Sequence, residues 1–322
     1  MTPDGTPNTD RPKVTVCVMT YNQRAYIGQC LLSLLSQETN FDFEVVVVDD
    51  CSTDGTSEIV QGIADKHLNR MRYMRHERNN GASSTFRFAR EMGKGIYVAH
   101  VDGDDYALPG KLQAQADFLD LNEGCQIVWH RMMILDALTG SIHPQACNRV
   151  PADNVKYDIS DLICNITIGL HSSKMYRRWQ RGADQGLDPL DFSENVLHLL
   201  NAGGYAAVMD SEPFGVYRAG IGISRERSSI RKKTYSWMHY FFKCGHAPMA
   251  LICSQVLLMV LSDLKHRERS FWYGLSKLLL MVFRAIPHRI FECRRRRVDF
   301  SPAVVAGSQP RSSATSEEAK QC

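Results

Sequence analysis

The stretch Val98–Tyr106 reads Val-Ala-His-Val-Asp-Gly-Asp-Asp-Tyr, an apolar run that delivers Asp102, Asp104 and Asp105 together. The run predicts a buried strand, which places the acids at its carboxyl end, the edge where open α/β sheets bind ligands. Packed carboxylates repel: at ~4 Å two charges cost ~1 kcal/mol in water and ~4 kcal/mol at an effective dielectric of about 20. Magnesium or manganese, held through one or two carboxylates and a substrate diphosphate, offsets that repulsion. The structural alternative is an acidic turn in which Gly103 supplies a tight bend. His100, inside the apolar run, reads as a packed side chain.

Upstream, Lys13–Thr20 and Phe43–Asp50 read as buried strands rich in β-branched residues, and Met71–Arg75 as a short third strand. Between them, helices are expected over Tyr26–Leu35 with Asn22 as a cap, from Ser57 toward Leu68, and over Ser83–Met92, where Gly93 and Gly95 stop the last one. This alternation predicts a mostly parallel α/β sheet with right-handed crossovers. A second acidic pair, Asp49-Asp50, then falls at the same sheet edge as Asp102–Asp105.

Four ordered motifs carry a resemblance: Val18-Met-Thr-Tyr-Asn22, Val46-Val-Val-Asp-Asp-Cys-Ser-Thr-Asp-Gly-Thr56, Asn79-Asn-Gly-Ala-Ser83 and Val101-Asp-Gly-Asp-Asp105. Together they resemble the nucleotide-sugar half of an inverting family 2 glycosyltransferase of the bacterial polysaccharide type. The implied fold is GT-A, a Rossmann-like, mostly parallel sheet flanked by helices, here with a C-terminal helical extension. The resemblance implies that Thr20, Tyr21 and Asn22 lie against the nucleotide base. Asp50 accepts hydrogen bonds from that base, with Asp49 beside it. Asp102 stands near the ribose, and Asp104 contacts a Mn2+ or Mg2+ ion, which Asp102 shares in the Asp102-Gly103-Asp104 element. Asp105 serves the metal or the acceptor side. Gly81 and Arg87 lie near the donor, although Arg87-Phe88-Ala89 departs from the family's Ala-Arg-Asn pattern, and a solvated helix-face arginine is the plainer reading of Arg87.

The acceptor half is legible only in outline. Lys111–Leu121 reads as a helix, Ile127–Leu135 as a strand, and Ile166–Leu170 as a strand followed by a helix from Ser172. The run Leu190–Tyr205, a helix ending in Gly203-Gly204, is similar to the segment that carries the family's catalytic base. Counting back from the glycines, the base falls between Phe192 and Ser193, where there is no carboxylate. Asp191 and Glu194 flank that point and share one helix face, so either is the candidate base. Their plainer role is to favour a helix start. Tyr217-Arg218 resembles a closing Tyr-Arg-x-His loop, but the histidine is absent. Arg218, Arg225 and His239 are candidates to replace it.

A net charge of +3 conceals an asymmetry: Asp263–Arg297 holds ten Lys/Arg against three Asp/Glu, about +7, leaving about −4 elsewhere. So local a basicity does not describe a nucleic-acid binder. The ten cysteines include no Cys-x-x-Cys pair, which argues against a disulfide framework or zinc site and for reduced thiols in the cytoplasm. The polar N-terminus lacks a signal core. From about Ser228 the chain turns aromatic and apolar, yet Pro248–Leu261 falls short of the ~20 residues that cross a bilayer. With Phe271–Ile286 and the Arg294–Arg297 run, it suggests peripheral contact with the inner face of the cytoplasmic membrane; a helical cap on the core is the alternative.

The expected organisation is a polar arm over 1–12, a GT-A domain over 13–227 divided near 120, a helical extension over 228–299 and a disordered tail over 300–322. The expected partners are a nucleotide-sugar donor and a saccharide or lipid-linked acceptor. The rival readings are an inactive GT-A-like binding or scaffold protein, a nucleotidyltransferase, and a phosphatase using Asp102. The last leaves Asp49-Asp50 unexplained.

Overall fold

The computed structural model describes residues 11–145, 156–165, 168–178, 191–209, 212–221, 227–245 and 248–282, with backbone alone at 191–192 and 227–229. The first half alternates strictly: β1 (Val14–Thr20), α1 (Ile27–Leu35), β2 (Phe43–Asp49), α2 (Thr56–Ala64), β3 (Met71–Arg75), α3 (Ala82–Met92) and β4 (Tyr97–Asp102). Then follow β5 (Tyr106–Ala107), α4 (Lys111–Leu121), β6 (Cys125–Trp129), β7 (Met133–Asp136), β8 (Ile142–Pro144), β9 (Lys156–Tyr157) and α5 (Ile159–Asn165). A single 3-10 turn (His171–Ser173) leads into β10 (Lys174–Arg177), α6 (Asp191–Ala202), β11 (Tyr205–Val208) and β12 (Gly215–Ala219). Helices α7 (Arg227–Cys244) and α8 (Met249–Lys265) follow, and α9 spans 271–282.

The main sheet runs β3-β2-β1-β4-β10-β6-β11-β9, and a smaller one runs β5-β12-β7-β8. Strands β3, β2, β1 and β4 are mutually parallel, while β10 enters antiparallel between β4 and β6. The valine runs of β1 and β2 are buried almost throughout, as expected for strands covered on both faces. Helix α1 buries Ile27, Cys30, Leu31, Leu34 and Leu35, an i, i+3, i+4, i+7, i+8 stripe. Each such aliphatic side chain contributes ~1.5–3 kcal/mol on burial. Residues through Met281 form one compact unit, in which α8 packs against both α5 and α7. Among the described residues, no helix is long and apolar enough to cross a membrane.

Four expectations change. Asn22 does not cap α1: it sits at φ 52, and its Oδ1 accepts the Thr53 N–H at 2.8 Å, so it pins the loop after β1 to the loop after β2. Leu68 lies beyond α2 and is exposed. The run Ile127–Leu135 is two strands in different sheets, because the chain leaves the main sheet at His130 to form β7. Of the strand expected at 166–170, residues 168–170 are irregular and 166–167 lie outside the described residues; a strand runs instead over Lys174–Arg177, and a 3-10 turn stands where a helix was expected to begin. A charged Lys174 masked that strand in the sequence, yet its side chain is buried with Asn195 Oδ1 3.2 Å from Nζ.

Candidate active site

Because β1 lies between β2 and β4, the loops after these three strands meet at one sheet edge, at the point where strand order reverses. There they enclose a cleft of about 580 Å³ whose lining includes Thr20, Asp50, Gly81, Asp102, Asp104 and His171. In the register of the sheet Asp49 faces Thr20 and Asp102 faces Met19. Asp50 and Asp102 therefore leave the sheet on either side of β1, from strands two positions apart. A larger, more open depression of about 810 Å³ beside α2 contains none of these cleft acids.

The two neighbouring acids after β2 divide their work. Asp49 is buried and folds back on its own loop: Oδ1 accepts the Ser52 N–H at 2.9 Å and the Ser52 hydroxyl at 2.5 Å. Its Oδ2 accepts the Ser57 hydroxyl and the Tyr73 hydroxyl, the latter at 3.3 Å. It shapes the turn and does not line the cleft. Asp50 does line the cleft; it accepts the backbone N–H groups of Asn80 and Gly81, each at 2.8 Å, and lies 3.1 Å from His76 Nδ1. Burial alone would raise its carboxyl, but the Asn80 N–H, the His76 ring and the Thr85 hydroxyl outweigh burial and hold it below the usual range.

The acid turn after β4 is equally differentiated. Asp102 lies 3.0 Å from His100 Nε2 and 3.2 and 3.3 Å from His171 Nδ1. Burial works against its charge, yet His171 and His100 hold it well below the ordinary value. Asp104 is pushed up to about 6 by burial and then by the charge of Asp102. Asp105 is buried away from the cleft: it accepts the Ser172 hydroxyl at 2.5 Å and the Arg218 N–H at 2.9 Å, and burial, then Asp102, pushes it up to about 8. Beneath it, the buried Lys111 ammonium donates to the Ser172 carbonyl at 2.6 Å, and burial pushes it down to about 7. Gly103 is required by close approach, since a Cβ there would fall 2.4 Å from Gln23 Oε1 and 2.9 Å from the Met19 carbonyl.

The structure thus brings Thr20, Tyr21, Asn22, Asp50, Gly81, Asp102 and Asp104 together and leaves Asp49, Arg87 and Asp105 outside the lining. Arg218 is a strut: its guanidinium sits 5.0 Å from the rings of both Tyr26 and Tyr106 and donates to the Asp104 carbonyl. Glu194 is buried 3.9 Å from Arg90 and is likewise absent from the lining. Asp191 opens α6, but its side chain, like Arg225 and the Arg294–Arg297 run, lies outside the described residues. His239 belongs to α7 and does not line the cleft. Sequence reasoning missed Gln23, Tyr26, Thr85 and His171, while Tyr217, read as part of a closing loop, does line the cleft. His171 is 69 residues from Asp102, and only the pairing of β10 against β4 brings it there.

This sheet order and its acid-lined edge define a GT-A fold. The solved structure of Staphylococcus aureus TarS residues 1–349 in complex with UDP-GlcNAc has the same fold, with a TM-score of 0.53 at 23% identity, covering 76% of this chain and 66% of that one. Residues 15–178, just over half of the chain, match Glycosyl transferase family 2, and the protein belongs to that family. An uncharacterised protein of Mycobacterium tuberculosis H37Rv is 28% identical over 262 residues, 80% of this chain and 70% of the relative. The Staphylococcus aureus poly(ribitol-phosphate) beta-N-acetylglucosaminyltransferase TarS is 42% identical over 110 residues, 34% of this chain and 19% of TarS. That aligned segment is a small part of whole TarS.

Proposed function

We propose that the protein transfers a sugar from a nucleotide-diphosphate sugar, with UDP as the nucleotide, to an acceptor hydroxyl with inversion. The product belongs to a cell-surface polysaccharide or glycolipid. One observation carries this reading: Asp50, Asp102 and Asp104 line a single cleft at the carboxyl ends of β2 and β4, with Thr20 between them. Thr20 Oγ1 is buried there without a hydrogen-bond partner, a group suited to a bound base or ribose. The choice of UDP follows TarS, which was solved with UDP-GlcNAc.

In this reading Asp50 and Asp102 fix the nucleoside, so that the anomeric carbon is held toward the acceptor. Asp102 and Asp104 would hold Mn2+ or Mg2+. The residues fit such an ion, because two carboxylates share one turn, and burial, then the charge of Asp102, already pushes Asp104 upward. When bound, the ion neutralises charge developing on the departing diphosphate. Asp191, at the first position of α6, takes the acceptor proton, a contribution of typically ~10²–10⁴-fold; Glu194 is committed to Arg90. The exposed Leu257, Leu258, Leu261 and Leu264 of α8 and Trp272 of α9, beside Lys265, Arg267 and Arg269, suit contact with an anionic membrane surface that bears a lipid-linked acceptor.

Release of nucleoside diphosphate from UDP-, GDP- and dTDP-sugars, with Mn2+ and saccharide or lipid-linked acceptors, tests the reading. Turnover of one donor is expected, falling ~10²–10⁴-fold in Asp191→Asn with donor affinity unchanged. Binding of UDP without turnover of any donor would favour a binding protein instead, a reading that the missing carboxylate at Phe192-Ser193 supports.

A further inference from the structure

Asp102 is approached by two imidazoles. His100 Nε2 lies 3.0 Å from its Oδ1, and His171 Nδ1 lies 3.2 Å from Oδ1 and 3.3 Å from Oδ2. The three potential ligand atoms fall within 4.8 Å of one another, and the two rings are only 3.4 Å apart between centroids. Around a cation with bonds of ~2.1 Å, adjacent octahedral ligands are roughly 3.0 Å apart, so the separations from Asp102 match neighbouring corners of one coordination shell. The residues come from different elements, β4 and the 3-10 turn, and Phe86 lies against both rings.

His100 is also an expensive choice for packing alone. It is fully buried in a strand whose neighbours are Val98, Ala99 and Val101, and its Nδ1 has no hydrogen-bond partner. An unsatisfied buried polar atom costs about 1–3 kcal/mol, which a phenylalanine at the same place would avoid.

We propose that Asp102, His100 and His171 together ligate the divalent cation at the cleft wall, with Asp104 on the same turn beside it. This rests on the function proposed above and goes beyond it by assigning two imidazole ligands to a site otherwise built from carboxylates. Imidazole suits zinc, copper, iron and nickel, whereas carboxylate, carbonyl and water suit magnesium and manganese. The site should therefore bind cobalt or zinc more tightly than magnesium, with Mn2+ serving as the spectroscopic probe.

The test is pulsed EPR of Mn2+ added to the full chain, alone and with UDP, on natural-abundance protein and on protein labelled with 15N-histidine. Modulation from directly bound imidazole nitrogen is expected in the first sample and a 15N pattern in the second, a comparison that needs no variant. His171→Ala and His100→Phe should each remove nitrogen coupling, and Mn2+ affinity should fall on the order of 10–100-fold, as for residues around other metal centres. Identical spectra from the two labellings, with Mn2+ bound, would overturn the imidazole ligation while leaving the nucleotide-sugar reading intact. Failure of Mn2+ to bind even with UDP would overturn both.

Discussion

Asp102, Asp104 and Asp105 occupy one turn but do different things, and burial sorts them. Asp105 ties β12 and the 3-10 turn to the acid loop, Asp102 carries the negative charge, and Asp104 is left facing the cleft with its carboxyl pushed up to about 6. A folded-state value raised above the unfolded one stabilises the protein at low pH, and that contribution is lost as pH rises through the folded value. Over the same range the buried His100, His130 and His198, all held low by burial, act in the opposite sense, so the Asp104 contribution is read against a variant. In the metal-free state Asp104→Asn should gain melting temperature relative to the wild type between pH 5 and pH 7, and Mn2+ should raise the wild type most at pH 7. Thermal melts with and without Mn2+ check this; equal pH dependence in wild type and variant would contradict it.

At the scale of elements, the nucleotide half was legible because its signals are local. Continuous valine runs, helical stripes and glycine stops all lie within short windows, and Asp50 and Asp102 follow from strand ends. The acceptor half was not, since β10 carries a buried Lys174 and joins the sheet antiparallel through contacts with β4 and β6 far away in sequence. The division of Asp49 from Asp50 was hidden as well, because which way a side chain turns after a strand depends on the loops it meets. Gly95, just before β4, shows how tight these junctions are. A Cβ there would lie 2.3 Å from the Thr15 nitrogen and 2.7 Å from the Tyr97 carbonyl. Backbone is struck rather than a movable side-chain tip, so Gly95→Ala should cost toward the upper end of the ~1–3 kcal/mol typical of overpacking. Urea denaturation measures it; an unchanged midpoint would show that β1 and β4 can spread.

For the whole molecule, the described helices α7 and α8 belong to the same compact unit as the sheet, yet α8 leaves Leu257, Leu258, Leu261 and Leu264 exposed. If that stripe rests on an anionic leaflet, the protein should float with vesicles containing anionic lipid and not with neutral ones. Binding should weaken at high salt, because each basic residue near the surface contributes about 1 kcal/mol. Leu258→Glu with Leu261→Glu should abolish flotation without altering UDP binding. Flotation unaffected by these changes would assign the stripe another role.

In the proposed reaction a nucleotide diphosphate binds at Asp50, Asp102 and Asp104 with a divalent cation. Calorimetric titration of UDP into the full chain, with Mn2+ and with chelator, for wild type and Asp104→Ala, tests it most directly. Mn2+-dependent binding is expected in the wild type, and its loss in the variant. UDP binding of equal strength in both proteins, or in chelator, would contradict it.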